Sequence, residues 1–176
     1  MNRKILITGP PRCGKSKLIS KLIEYYTVKK NYSIYGFLTP EVKKSGTRIG
    51  FDIQDIFSKE REVFARVGNY NTQNKLGKYE IFLEGLEKII SNFETTQFHQ
   101  IDLFIIDEIG KMELFSKKFQ DFILRIFASD LSIIATFGLT VKHPIKDHIL
   151  SLPNVKLFNL DRLNFQKTYQ KIITIV

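Results

Sequence analysis

The sequence predicts an α/β fold of three layers: a mainly parallel sheet flanked by helices, with a small antiparallel β insert near residues 40–67. Three observations predict it. Short apolar runs alternate with longer stretches of helical spacing, as strands joined by crossover helices do. A glycine-containing loop, Gly9-Pro10-Pro11-Arg12-Cys13-Gly14-Lys15-Ser16, stands between the first such run and the first helical stretch. Past Thr39-Pro40 the helical spacing gives way to short runs around a Ser45-Gly46 turn.

Taken in order, Lys4–Thr8 is a buried strand and Lys17–Tyr26 a helix with apolar residues on one face. Ser33–Leu38 is the next strand, broken by Thr39-Pro40. Glu41–Lys44 and Arg48–Ile53 flank the turn, and Glu62–Val67 makes a third strand of the meander. A helix is expected from about Gly77 to Phe93, with Ile81, Leu86, Ile89, Ile90 and Phe93 as its apolar contacts. Ile101–Ile106 is a buried strand; Phe119, Phe122, Ile123, Ile126 and Phe127 mark a helix; Leu131–Thr136 is another strand. A short helix from His143 to Leu150, a last strand at Val155–Phe158 and a helix from about Asn164 to Ile173 complete the chain. No linker or repeat interrupts residues 1–176, which are expected to form a single domain.

The loop fits G-x-x-x-x-G-K-[ST], and its strand–loop–helix context is the one in which that pattern carries meaning: a phosphate-binding loop on a P-loop NTPase fold. Successive backbone N–H groups and the positive end of the helix dipole suit a polyphosphate. Gly9 and Gly14 let the backbone approach without a Cβ. Lys15 is expected to reach the β- and γ-phosphates, Ser16 to ligate Mg²⁺, and Pro10, Pro11, Arg12, Cys13 and Lys17 to complete the nucleotide contact.

Ligands of such sheets bind at the carboxyl ends of the strands. There the run Leu103-Phe104-Ile105-Ile106 ends in Asp107-Glu108. Asp107 is placed to hold the Mg²⁺ shell, and Glu108 to orient and deprotonate an attacking water. Positive charge is needed on the γ-phosphate as its bond breaks. Lys111 is the first candidate and Arg48 the second, each with a solvated surface role as the alternative. Thr136, at a strand end, is a candidate for positioning the water. Cys13 sits among backbone donors near a helix start, a setting that activates thiols, so its alkylation is expected to block nucleotide binding.

Composition sets outer limits. The chain has 176 residues, 43% hydrophobic and 26% charged, with a formal net charge of +9. Its lysines are scattered rather than blocked, which favours a solvated basic surface over a nucleic-acid interface. One cysteine excludes an intrachain disulfide. No run suits a bilayer and no leader pattern opens the chain, so a cytoplasmic protein is expected. His99, His143 and His148 lack metal-ligand spacing and read as surface or loop residues. Nothing resembles a coiled-coil seam, and a monomer is the expectation.

Asp107-Glu108-Ile109-Gly110-Lys111-Met112-Glu113-Leu114 resembles the signature of the small P-loop nucleoside triphosphatases first described from thermophiles, whose human member is called cancer-related nucleoside triphosphatase. Gly36-Phe37-Leu38-Thr39-Pro40-Glu41-Val42, with Gly46, Arg48, Gly50 and Phe51, is similar to a second family stretch, and Ile134-Ala135-Thr136 to a third. The resemblance implies slow, Mg²⁺-dependent hydrolysis of several nucleoside triphosphates (ATP, GTP, CTP and UTP) to diphosphate and phosphate, with poor base selectivity. The chain departs from the family pattern at Arg12 and Cys13, where the family has glycine and a small apolar residue. Asn159-Leu160-Asp161-Arg162-Leu163 loosely matches an asparagine-arginine pair, which makes Arg162 a candidate nucleotide contact.

Two other functions stay open. A small-molecule kinase would share the loop, although no arginine-rich lid segment is visible. A nucleotide-controlled RNA-binding module would suit the basic charge but lacks an RNP-like sequence. A guanine-specific switch is disfavoured, because Asn74-Lys75-Leu76-Gly77 has no aspartate and follows no clear strand.

Overall fold

The first apolar run is a strand buried on both faces, β1 (Lys4–Gly9), and the computed structural model, which describes residues 3–95 and 100–176, builds the molecule around it. Helix α1 (Lys15–Lys30) follows the loop directly and ends on Asn31 in the left-handed region, φ 54°. It outruns the expected Tyr26 by a turn, and the ammonium groups of Lys29 and Lys30 sit at the negative end of its dipole.

Strands β2 (Ile34–Leu38), β8 (Leu103–Ile109), β9 (Ile133–Gly138) and β10 (Val155–Asn159) join β1 in parallel, in the order β10-β1-β9-β8-β2. The sheet continues without a break into the insert. There β4 (Thr47–Asp55) pairs antiparallel with β2, followed by β5 (Arg61–Val67), β7 (Tyr79–Ile81) and β6 (Asn74–Leu76), with β3 (Glu41–Lys44) on β4. The antiparallel insert is thus an extension of the main sheet.

Side-chain alternation divides the core in two. Leu6, Phe104, Ile106, Ile133 and Ala135 face the side covered by α2 (Leu83–Glu94), α3 (Lys117–Ala128) and α4 (Pro144–Ser151). Ile5, Ile7, Leu103, Ile105 and Ile134 face α1 and α5 (Phe165–Ile175). Burial on both faces explains why these strands read as unbroken apolar runs. The phenylalanines cluster on the first side, where Phe93 of α2 meets Phe104 at 5.2 Å and Phe122 of α3 at 5.9 Å between ring centroids.

The helix expected from Gly77 begins only at Leu83. Gly77, at φ 58°, turns a hairpin of β6 and β7, and Ile81 is a strand residue paired with Ala65. Helical spacing misled here because the backbone of residues 79–81 satisfies the edge of β5, which a helix would leave open. Among the histidines, His143 accepts a hydrogen bond from the Ile145 amide (3.3 Å) and caps α4, and His148 is exposed; His99 lies outside the described residues. Among the described residues no helix is long and apolar enough to cross a membrane.

Candidate active site

The loop between β1 and α1 is held by backbone geometry. Gly14 has φ 109° and Arg12 φ 62°, both in the left-handed region. For arginine that conformation costs about 1–2 kcal/mol. Arg12→Gly is therefore expected to raise the melting temperature by about 2–8 °C, read by calorimetry. Gly9 answers a different demand: a Cβ there would stand 2.2 Å from the Leu160 carbonyl oxygen, where the chain leaving β10 crosses the loop. Lys15 reaches back over the loop, its Nζ donating to the carbonyls of Gly9 (3.0 Å) and Pro10 (3.3 Å).

Across from the loop stands the end of β8. In a regular strand Asp107 and Glu108 would point to opposite faces. Here the β8–β9 register shifts: Ile106 pairs with Ala135 and Ile109 with Phe137, so two residues of β8 oppose Thr136 alone. This bulge turns both carboxylates into one cavity. Burial pushes the Asp107 carboxyl up from its ordinary range; hydrogen bonds from Thr136 and Ser16 and the charge of Lys15 oppose it. Loop and strand tip therefore meet through Lys15 and Ser16. Glu108 is also pushed up, by burial and by Asp107, against the pull of Lys15.

The cavity encloses about 540 Å³. Gly9, Pro11, Arg12, Gly14, Lys15, Ser16 and Lys17 line one side; Asp107, Glu108, Lys111, Met112 and Glu113 another; Gly138 at the end of β9, with Leu139, Thr140 and Val141 after it, a third. The insert supplies Glu41, Arg48, Phe51, Phe64 and Leu76.

Not every expected side chain points where sequence reasoning placed it. Thr136 is fully buried, and its hydroxyl donates to Asp107 Oδ1 at 2.7 Å; it orients the carboxylate and does not face the cavity. Arg48 is held by Glu41 (2.7 Å) and by the Tyr79 hydroxyl (3.0 Å) and lies over the Phe51 ring, so much of its charge is already paired. Cys13 is only 7% exposed and packs beneath the loop against Gly9, which removes the ground for easy alkylation. Pro10 contributes its carbonyl oxygen and is not part of the wall. Arg162 is exposed on the segment after β10, outside the cavity wall. Lys111 is exposed and lines the cavity.

Two residues were missed. Thr39, at the end of β2, donates to the Asp107 carbonyl at 2.7 Å and fixes the bulge from the other side. Glu113 is buried in the cavity wall and accepts from the Gly110 amide at 3.1 Å. Gly110 lies between two carboxyls: a Cβ on it would be 2.6 Å from Glu113 Oε2 and 2.9 Å from Glu108 Oε1. Burial first, and Glu108 next, push Glu113 up to about 8. The recurring carboxylate six residues after Asp107 was visible, but only the short 3-10 turn Glu113–Phe115 folds it back against Glu108.

That shift gives stability a pH dependence. Below pH 4.5, the ordinary value of the group, native and unfolded chains both hold the Glu113 proton. Between 4.5 and about 8 the unfolded chain releases a proton that the native state keeps, so this contribution lowers stability as pH rises. The slope is at most about 1.4 kcal/mol per pH unit. Glu113→Gln is expected to flatten the curve of melting temperature against pH over that window.

An amide-lined loop after β1, facing paired carboxylates on the next-but-one strand of a parallel sheet, defines a P-loop nucleotide-binding protein of the α/β class. A family model described as NTPase matches residues 4–173. The nucleoside-triphosphatase THEP1 of Archaeoglobus fulgidus is 34% identical, over 98% of each chain. The crystal structure of THEP1 from Aquifex aeolicus superposes with a TM-score of 0.81 at 30% identity, covering 98% of both chains. The solution structure of a human cancer-related nucleoside triphosphatase gives 0.79 at 30% identity, over 98% of this chain and 96% of that one. The chain belongs to this family of nucleoside triphosphatases.

Proposed function

We propose that this protein hydrolyses nucleoside 5′-triphosphates to the diphosphate and phosphate with Mg²⁺, using Glu108 to activate water. The observation that carries the reading is the convergence of Lys15, Ser16, Asp107 and Glu108 on one cavity. The loop amides and Lys15 bind the polyphosphate. Glu108 takes a proton from water; the water oxygen attacks the γ-phosphorus, the bond to the β,γ-bridging oxygen breaks, and the diphosphate leaves. Lys15 and Lys111 offset the charge that develops, and Arg12, exposed on the loop, adds to the field.

A hard cation suits the donors present. The Ser16 hydroxyl and the Asp107 carboxylate are oxygen ligands, and among the described residues no cluster of three or more His, Cys, Asp or Glu could hold a metal without the substrate. Mg²⁺ is commonly held in this way, by one or two protein oxygens plus phosphates and water. When bound it neutralises charge on the β- and γ-phosphate oxygens. Thr136 keeps Asp107 in the orientation this requires. Burial and the neighbouring Glu108 favour the protonated form of Glu113.

Phosphate release across ATP, GTP, CTP and UTP, with and without Mg²⁺, tests the reading. Release from several nucleotides only with the metal is expected; no release from any of them would overturn it. Transfer to a small-molecule acceptor draws on the same cavity, whose wall includes Phe51, Phe64 and Leu76 of the insert. Phosphate release with no acceptor present decides for water.

A further inference from the structure

The cavity takes the reacting end of a triphosphate, and the aromatic side chains in its wall, Phe51 and Phe64, with Leu76 beside them, belong to the insert on the β2 side of the sheet, away from β10. The direction of the substrate follows from Glu108. The γ-phosphate must come within reach of that carboxylate, which lies on β8, two strands from β1. The nucleoside therefore leaves the loop on the opposite side of β1, where the sheet neighbour is β10. The segment waiting there is residues 160–165, between β10 and α5.

That segment is stiff and oddly apolar. Asp161 Oδ1 accepts from the amides of Leu163 and Asn164 (2.8 Å each), and Asn164 Oδ1 accepts from the Asp161 amide at 3.0 Å. The turn so fixed carries Leu163 at 99% exposure, the most exposed large apolar residue among the described residues. Next to it, Phe165 is half-buried and touches the loop itself: an ideal Cβ on Gly14 would be 3.4 Å from two of its ring carbons. The ammonium groups of Lys17 and Lys21 lie over the ring, each 5.9 Å from its centroid, a cation–π contact that an incoming base would displace. A flat ring beside the last glycine of a phosphate loop, with two cations over it to meet the phosphates and ribose, suits a base whose phosphates already lie on that loop.

We infer that Phe165, with Leu163 beside it, is the nucleobase platform of this enzyme, binding the base by its face. Such a platform reads no hydrogen-bonding edge, because every base has a π-face, and it accepts purines and pyrimidines alike. The inference rests on the proposed hydrolysis at the loop.

Inorganic tripolyphosphate, which has no base, separates the two. Phe165→Ala is expected to weaken ATP, GTP, CTP and UTP about tenfold in Kd, while tripolyphosphate affinity stays unchanged. Phe165→Tyr, which keeps the ring, restores nucleotide affinity. Leu163→Ser, at a position too exposed to affect folding, shifts the same nucleotides in the same direction by a smaller factor and leaves tripolyphosphate alone. Equal losses for ATP and tripolyphosphate in Phe165→Ala would show that the ring only props Gly14, and would overturn the platform. Unchanged ATP affinity in both variants would overturn it as well. Failure of the unmodified protein to bind either ligand would instead remove the loop reading on which the platform stands.

Discussion

Glu108→Gln is expected to slow phosphate release from Mg·ATP by about 10²- to 10⁴-fold, the range a positioned general base contributes, while ATP still binds. Glutamine keeps the size and the hydrogen-bonding reach of the side chain and loses only the capacity to accept a proton. Binding should survive because Glu108 is not needed to hold phosphate; removing a carboxylate beside the γ-phosphate, if anything, relieves repulsion. The neighbourhood also favours a base. Burial and Asp107 push Glu108 up from its ordinary range, so it holds a proton more readily than an exposed glutamate. Single-turnover phosphate release together with equilibrium ATP binding separates the two effects. Normal turnover in the variant would take Glu108 out of the mechanism.

Lys15→Ala is expected to weaken Mg·ATP by about a hundredfold in Kd, as truncating one partner of a desolvated charged pair does. In the native loop the ammonium is already poised over the site by the Gly9 and Pro10 carbonyls, so little ordering remains to be done on binding. Tripolyphosphate should lose as much as ATP, because the contact is with phosphate alone. Calorimetric titration with both ligands checks this; unchanged affinity for either would contradict the loop assignment. The contrast with Phe165→Ala, which should spare tripolyphosphate, marks the two ends of the substrate.

Much of the site was legible because its chemistry is local. Gly9 to Ser16 must present consecutive amides, and Asp107 and Glu108 must end one buried strand, so each demand writes a contiguous pattern. Arg12 stands where the family pattern has glycine, and its φ of 62° is one that glycine adopts more easily. What escaped was relational. Thr136 was read as ending a strand, where a residue could position water, but β9 runs on to Gly138 and the Thr136 hydroxyl opposite the bulge donates to Asp107. No residue type announces such a bulge. Glu113 reaches Glu108 only through the turn at Gly110, and Phe165 meets Gly14 only because β10 and β1 are neighbours.

The fold shows the same division. The long strands buried on both faces are apolar throughout and could be read directly. The hairpin at residues 74–81 could not, because two strands of three residues each carry too short a pattern and Ile81 continues the spacing of the helix behind it. Likewise the meander of residues 40–67 was visible as an insert, but its attachment to the β2 edge at Phe37 and Leu38 was not.

The most direct measurement is a crystal structure of the Glu108→Gln variant with Mg·ATP. The γ-phosphate should lie between Lys15 and residue 108, with the metal on the Ser16 hydroxyl and the adenine against Phe165. A triphosphate bound away from the β1–α1 loop, or one running with its γ-phosphate toward β10, would contradict the account.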